Sequence, residues 1–331
     1  MKKFWGFVLL LGLLIVCISA AGAEVSYMGK TFDENAEYID LGDTVVGDWN
    51  AFADMIAQMP NLKRVDMWET KIGKGNCDIL AERFPNIKWG WTLVIPGKDH
   101  THLVRTDQTS FSTLHNRNTA KHTSEELSVL KYCWHLFALD IGHNGVTDIS
   151  FLENMTHMRT LIIALNNITD VSVLAKLPNL EYVEMFNNKI TDVTPVLGLE
   201  HLLDLNLGYN KIGNLSELKS MTWLKRLWMY RAQNWDPYPT SFEKDFKAAL
   251  PTTHIDFRHD PTNGGWRDKD PHYQVIINCF GKDHLHPSST YYPFEDSYPF
   301  SEEEQAILNG TADAAPGSEG STGAVVTAVV E

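Results

Sequence analysis

Apolar residues recur every 22 positions through the middle of the chain. Four such ladders run in register between residues 127 and 230. The first contains Leu127, Ile149, Val171, Val193 and Leu215, and another contains Cys133, Met155, Leu177, Leu199 and Met221. An asparagine follows the same period, at Asn144, Asn166, Asn188 and Asn210. A fixed period of this length is typical of a solenoid, in which copies of one unit stack on each other.

The pattern inside one period predicts a short strand. Each copy reads approximately L-x-x-L-x-L-x-x-N-x-I-T-D-I-x-x-L-x-x-L. Side chains alternate across a strand, so the two residues of L-x-L point inward and the residue between them points outward. The asparagine amide can bond the backbone of its own turn, which makes it a structural residue. Cys133 stands on an apolar ladder and is predicted to be a buried thiol.

This motif resembles the 22-residue leucine-rich repeats of bacterial internalin-like surface proteins, from Leu127 to about Tyr230. The resemblance implies an α/β repeat fold, a curved solenoid. Its parallel sheet would lie on the concave face, and its convex side would be helical or irregular. Solenoids of this kind use the concave face for binding.

Both ends of the array differ from its middle. Residues 24–95 form looser repeats with a cap, with strands near Tyr38 and Arg64 and helical apolar spacing over 49–59 and 77–84. Residues 96–126 are a histidine-rich insertion with a short strand at Leu103 and Val104. The regular repeats occupy 127–257 and end in a cap, with a helix over 242–250 and a last strand at 255–257. An aromatic and histidine-rich extension follows over 258–300, and 301–331 is predicted to be a disordered acidic tail.

The first 23 residues have the features of a signal peptide. Lys2 and Lys3 precede an apolar run, and small residues ending in Ala21-Gly22-Ala23 form a cleavage site. The sequence therefore predicts export, and release into the medium with cell-surface association left open. An alternative is lipidation at Cys17, although the valine before it fits a lipoprotein cleavage site poorly. No second apolar run reaches membrane length, so we expect no stable membrane insertion.

The charge of the chain argues against nucleic acid as a partner. The formal net charge is −14, and loss of Lys2 and Lys3 with the leader makes it more negative. An acidic surface repels phosphate backbones. Cys77, Cys133 and Cys279 remain after cleavage, and their odd number without C-x-x-C spacing is not a disulfide framework.

Aromatic and charged residues concentrate on the outward strand positions toward the C-terminal end of the array. These types dominate the binding energy of interfaces. The predicted ligand-binding residues are Tyr182, Glu184, Phe186, Asp204, Tyr209, Arg226, Trp228, Tyr230 and Arg231. The alternative is that the aromatic residues pack against one another or lie under the C-terminal extension.

A metal site is the second functional hypothesis. Two similar hexamers, residues 97–102 and 281–286, place His100 with His102 and His284 with His286 in H-x-H pairs. Such a pair on a strand could supply half of a zinc site for a metal-binding protein or metalloenzyme. No H-E-x-x-H motif, nucleophile motif or phosphate loop accompanies them.

The sequence therefore favours an exported, monomeric binding protein that recognises a protein or glycan, with no catalysis, no cofactor and no resident metal. Segments at 105–115 and 264–273 resemble a recurrent, uncharacterised family of exported leucine-rich-repeat proteins of anaerobic gut-type bacteria. That second resemblance implies architecture and export only.

Overall fold

A computed structural model describes residues 23–98, 101–113, 121–234, 236–261, 280, 299–309 and 311–312. The described chain contains a four-stranded sheet, a seven-stranded sheet and an antiparallel hairpin, and the apolar side chains beneath the sheets form one main core. The predicted signal peptide lies outside the described residues except for Ala23.

The N-terminal part combines strands with regular helices. Strands β1 (Glu24–Tyr27) and β2 (Lys30–Asp33) form the hairpin. Strands β3 (Tyr38–Asp40), β4 (Arg64–Ile72) and β5 (Lys88–Ile95) are parallel, and β6 (His102–Arg105) lies antiparallel to β5. Helices α1 (Trp49–Ile56) and α2 (Lys74–Arg83) connect the parallel strands, as the apolar spacing predicts. Asp48 caps α1 by accepting hydrogen bonds from the backbone N–H groups of Asn50 and Ala51.

The seven-stranded sheet follows chain order and is parallel throughout. Its strands are β7 (Ser110–Ser112), β8 (Ala138–Asp140), β9 (Thr160–Ile162), β10 (Tyr182–Glu184), β11 (Asp204–Asn206), β12 (Arg226–Trp228) and β13 (His254–Asp256). Short 3₁₀ helices occupy the opposite side of the repeats, beginning with Ser128–Tyr132 and ending with Leu215–Ser220. A single helical turn, α3 (Ser124–Leu127), precedes them. The register pairs Leu139 with Leu161 and Val183 with Leu205, so equivalent strand positions stack as the period predicts. The ladder residues Leu127, Ile149 and Val171 are buried in the core.

The periodic asparagines hold neighbouring turns together. The Asn188 amide donates to the carbonyls of Ile163, Met185 and Phe186, at 2.9, 3.2 and 3.4 Å, and its oxygen accepts from the N–H of Ile168 at 3.0 Å. Asn144, Asn166 and Asn210 make equivalent bonds in their own repeats. This confirms the structural role, because the amide satisfies backbone groups that would otherwise be buried without partners.

The residue before each asparagine position has a left-handed backbone. These residues are His143, Leu165, Asn187, Tyr209 and Arg231, with φ between 50° and 59°. The N–H groups of the first four bond across to the next repeat, for example Leu165 to the carbonyl of Phe186 at 2.9 Å. L-residues adopt this conformation only where the surroundings enforce it, so the repeat contact itself fixes the turn.

The C-terminal cap agrees with the sequence, but two other predictions need correction. Helix α4 (Thr240–Ala249) precedes β13, the predicted last strand. The insertion 96–126, however, supplies β7, which is the first strand of the array. The apolar period missed it because Ser110-Phe111-Ser112 carries no leucine.

The predicted disordered tail also begins with ordered structure. Helix α5 (Glu302–Leu308) starts with a capping box between Ser301 and Glu304. A polar composition alone did not reveal this helix, because its stability comes from contacts with the sheet described below. Within the described ranges, no helix has the length and apolar character needed to cross a membrane.

Candidate functional site

The outer face of the seven-stranded sheet carries the residues that alternate with the core positions. Polar side chains in its middle are fully or almost fully buried, namely Asp140, Thr160, Glu184, Asp204 and Asn206. Burying polar groups costs free energy unless they find partners. Two described segments from the C-terminal part of the chain cover this face.

The first cover is the segment 299–309, which we call the C-terminal strap. Its Phe300, Ile307 and Leu308 join a small apolar cluster on the outer face. The sheet contributes Phe137, Ala138, Ile162, Tyr182 and Trp228 to that cluster. The rings of Phe137 and Phe300 meet edge to face, with centroids 5.7 Å apart. This cluster is separate from the main core of the solenoid.

Arg159 anchors the strap through charge. One guanidinium nitrogen lies 2.5 Å from the Glu181 carboxylate, and the other lies 2.6 Å from the Glu304 carboxylate. The second nitrogen also donates to the carbonyl of Pro299 at 3.3 Å, and the guanidinium lies 4.0 Å from the Phe300 ring centroid. All three charged side chains are buried.

The ionisation of Glu304 follows from this setting. Burial by itself would raise the pKa of the Glu304 carboxyl. The hydrogen bonds from Arg159 and the Ser301 backbone, together with the nearby positive charge, outweigh burial and lower the pKa below its ordinary value. Glu304 therefore contacts Arg159 as a carboxylate at neutral pH.

The second cover is the chain that follows β13. Trp228 Nε1 donates to the carbonyl of His259 at 2.6 Å, and the Tyr209 hydroxyl donates to Asp260 at 2.6 Å. Burial and then the Asp260 carboxylate raise the pKa of Tyr209. A Cβ added at Gly208 would lie 2.8 Å from Pro261, so only glycine lets this segment approach so closely.

The predicted contact residues fall into two groups. Five are buried: Tyr182, Glu184, Phe186, Asp204 and Trp228. Four are half-buried or exposed: Tyr209, Arg226, Tyr230 and Arg231. Residues 258–261 and the strap therefore contact part of this face, and the role of the nine residues in ligand binding stays a prediction. Arg231 lies over the rings of both Tyr209 and Tyr230, so the exposed group retains an aromatic and cationic character.

A second set of such residues lies at the N-terminal end, on β3 to β6 and on the segment that precedes β8. Tyr38, Arg64, Trp68, Lys88, Arg105 and Trp134 are all half-buried or exposed. We call this set the aromatic–cationic cluster. Trp68 and Trp134 meet edge to face, with centroids 5.9 Å apart. Lys88 lies 4.3 Å from the Trp134 centroid, and Arg105 lies 4.0 Å from the Trp68 centroid.

Hydrogen bonds and close packing fix the aromatic–cationic cluster. Arg64 binds Asp66 through two nitrogens, at 2.8 and 2.7 Å, and Asp66 also accepts from the Tyr38 hydroxyl at 3.2 Å. Burial and then the Asp66 charge raise the pKa of Tyr38 to about 12, so this hydroxyl keeps its proton. A Cβ at Gly90 would lie 2.4 Å from the Asp66 carboxylate and 2.7 Å from the Trp68 ring. Gly90 therefore allows Trp68 to lie against β5.

Sequence reasoning missed this cluster because the 22-residue period does not extend to it. The alternation of residues in one strand nevertheless indicated part of the cluster. Arg64, Asp66 and Trp68 are alternate residues of one predicted strand and must share one face. Trp134 belongs to a segment between strands, and only the fold brings it to Trp68.

The histidine hypothesis receives no support from the described residues. They contain no group of three histidine, cysteine or acidic side chains arranged to hold a metal. His100, His284 and His286 lie outside the described ranges, and His102 is buried against the rings of Phe111 and His122.

Cys133 is buried on its ladder, as predicted, and neither Cys133 nor Cys77 forms a disulfide. Burial raises the pKa of both thiols, which keeps them protonated. Cys279 lies outside the described residues.

Comparisons with known proteins agree with the repeat geometry. A family model described as leucine-rich repeats (2 copies) matches residues 156–198, and a second leucine-rich-repeat model matches residues 198–215. These matches fall on the part of the chain that forms β9, β10 and β11. Together with the seven-stranded parallel sheet, they confirm the predicted leucine-rich-repeat solenoid.

Solved structures with some likeness to the chain include two internalins from Listeria monocytogenes. One is 19% identical over 72% of this chain and 69% of its own, with a TM-score of 0.37. The other, internalin C2, is 20% identical over 71% and 87%, with a TM-score of 0.35. A leucine-rich-repeat protein of Leptospira interrogans is 19% identical over 62% and 57%, with a TM-score of 0.36. No curated protein matches the sequence.

Proposed function

We propose that the protein is an exported binding protein, which recognises a protein or glycan ligand on the outer face of its sheets and performs no catalysis. The observation that carries the proposal is the aromatic–cationic cluster. Two tryptophans, a tyrosine and three cationic side chains share one partly exposed sheet surface. Leucine-rich-repeat proteins generally mediate protein binding, which supports the same conclusion.

The chemistry of the cluster suits a ligand with flat apolar surfaces and polar edges. Tryptophan and tyrosine rings provide large rigid contact areas at low entropic cost, and arginine adds directed hydrogen bonds. The buried partners of the cluster hold these side chains in place before a ligand arrives. Such preorganisation lowers the cost of binding.

The exposed part of the predicted C-terminal patch serves as a second contact region in this proposal. Tyr209 and Tyr230 meet edge to face, with centroids 5.2 Å apart, and Arg231 lies over both rings. Export rests on the signal-like residues 1–23, which precede the described part of the chain.

The experiment is a screen of glycan arrays and displayed peptides with the protein and three variants. We expect Trp68→Ala/Trp134→Ala to weaken a captured ligand at least ten-fold, and Tyr230→Ala to weaken it less. Ile79→Ala is the control, because Ile79 is an exposed apolar residue on α2, away from the cluster. Equal binding by the double variant and the control would reject the aromatic–cationic cluster as the binding surface.

A further inference from the structure

We propose that the outer face around Arg159 is itself a peptide-recognition site, and that the C-terminal strap occupies it in cis. Its ligand would be a segment of a partner protein with the chemistry of the strap. That chemistry is an aromatic residue, a helix-capping serine or threonine, and a glutamate at the third helical position. The site uses residues outside the aromatic–cationic cluster, so it goes beyond the function proposed above.

The charge balance around Arg159 is the first argument. Arg159 and Glu181 both belong to the solenoid and already form a neutral pair, 2.5 Å apart. Glu304 adds a second carboxylate to the same guanidinium at 2.6 Å. Arg159 therefore keeps the Glu181 carboxylate as a partner when Glu304 leaves, and the nitrogen that Glu304 contacts can accept a carboxylate from another molecule. A buried pair that lost its only partner would instead leave an uncompensated charge.

The separation of the apolar contacts is the second argument. Phe300, Ile307 and Leu308 pack in the small cluster on the outer face, and none of them belongs to the main core. Departure of the strap would leave the ladders beneath the sheet intact. A compact apolar centre beside a buried charge pair is typical of a protein–protein interface with one energetic centre.

The N-terminal end of helix α5 indicates which features of a ligand this site would recognise. The Glu304 carboxylate oxygen that meets Arg159 also accepts the N–H of Ser301 at 2.9 Å, and the Ser301 hydroxyl accepts the N–H of Glu304 at 3.1 Å. This capping box fixes the carboxylate relative to the helix axis. The preceding Phe300 reaches Phe137 and the Arg159 guanidinium at the same time. A ligand with the order aromatic–Ser/Thr–x–x–Glu reproduces all of these contacts.

A row of ring contacts connects this site with the aromatic–cationic cluster. Trp134 and His135 have centroids 6.1 Å apart, and His135 and His157 are 6.0 Å apart. His157 then lies 5.5 Å from Phe137, the ring that meets Phe300. A partner on the aromatic–cationic cluster can therefore extend along one surface and displace the strap. A ligand that binds the uncovered state more tightly than the covered state shifts the equilibrium toward release of the strap.

The test uses the full chain and a fluorescein-labelled peptide with the sequence of residues 299–309. The strap variant is Phe300→Ala/Ile307→Asp, which removes the apolar contacts of the strap and leaves Arg159 and Glu181 unchanged. We expect the peptide to bind the strap variant saturably by fluorescence polarisation, and at least ten-fold more tightly than the unaltered chain. A peptide with Glu304→Gln should bind the strap variant at least ten-fold more weakly, because the charged hydrogen bond is lost.

Four outcomes would overturn the proposal. The peptide could fail to bind the strap variant, or the Glu304→Gln and scrambled peptides could bind as well as the original. The strap variant could lose its fold by circular dichroism, which would make the strap a fixed part of the structure. The unaltered chain could sediment as a dimer that the peptide dissociates, which would assign the site to a second copy of the chain. A chain that combines Trp68→Ala/Trp134→Ala with Phe300→Ala/Ile307→Asp separates this proposal from the proposed function. It lacks the tryptophans of the aromatic–cationic cluster but should bind the peptide as tightly as the strap variant does.

Discussion

The two sheets present similar residues on their outer faces but use them differently. Trp68 on β4 is half-buried and lies against the Arg105 guanidinium at the surface. Trp228 on β12 is 7% exposed, and its indole N–H bonds the chain that crosses above it. Both tryptophans occupy outward positions on parallel strands. Their exposure differs because other segments of the chain cover Trp228 more completely than Trp68. The strand position alone does not determine this exposure.

The sheets also stabilise their backbones in different ways. The regular array buries an asparagine at each of four turns, and each bonds backbone groups of two neighbouring repeats. The N-terminal part uses different side chains at each place. Asp48 caps α1 at the surface, whereas Thr70 and Thr106 bond the backbone of other segments in the interior. Repetition thus couples neighbouring units of the array through one residue type, whereas side chains of several types do so in the N-terminal part.

The largest effect is expected from Asn188→Ala. The substitution leaves three buried carbonyls and one buried N–H without their amide partner, and each such loss is costly. We expect the free energy of unfolding to fall by about 3 kcal/mol or more. Urea denaturation followed by circular dichroism measures this free energy. The control is Asn167→Ala, which replaces an exposed asparagine of the preceding repeat. Similar losses for both variants would contradict the coupling role of the buried asparagines.

A smaller effect is expected from Gly90→Ala, which acts on the N-terminal sheet. The new methyl group would collide with Asp66 and with the Trp68 ring, and both must move. We expect a loss of about 1–3 kcal/mol, as for other overpacked sites, together with a changed tryptophan fluorescence spectrum. Gly198→Ala is the control, because no atom lies within 4 Å of its added Cβ. A Gly90→Ala protein with unchanged stability and fluorescence would refute the close packing of Trp68.

The smallest effect is expected from Asp48→Ala at the start of α1. Only two exposed hydrogen bonds are lost, to the N–H groups of Asn50 and Ala51 at 3.0 Å. Removal of a helix cap typically costs about 1 kcal/mol. Asp43→Ala is the matched acidic control, since the Asp43 side chain is fully exposed. If Asp48→Ala destabilised the protein as much as Asn188→Ala, the contrast between the two sheets would disappear.

The repeating part of the fold was predictable because every copy must fill the same core positions and satisfy the same backbone groups of its turn. Leu161, Val183 and Leu205 fill equivalent core positions, and Asn166 and Asn188 close equivalent turns, so the period exposes them all. The contacts that cover the outer face occur once each. Arg159 and Glu304 are 145 residues apart, and nothing in the neighbourhood of either predicts the other.

Burial on the outer face could not be predicted for the same reason. Outward strand positions identified Tyr182 and Trp228 correctly as residues of the outer face, but not as buried residues. The aromatic–cationic cluster depends on Trp134 meeting Trp68, a contact between segments that share no repeat. Local alternation reveals which face a side chain occupies, whereas long-range packing decides whether that face remains open.

The left-handed turns before the asparagines give the array a property that matters for its evolution and for its engineering. Each asparagine turn is bonded to the adjacent repeats through its backbone and its amide, and neighbouring strands in a sheet lie about 4.8 Å apart. Duplication or deletion of one 22-residue unit between β10 and β12 would therefore shift the Tyr230 end by one such step relative to Trp68. The number of repeats therefore sets the distance between Trp68 and Tyr230 along the array.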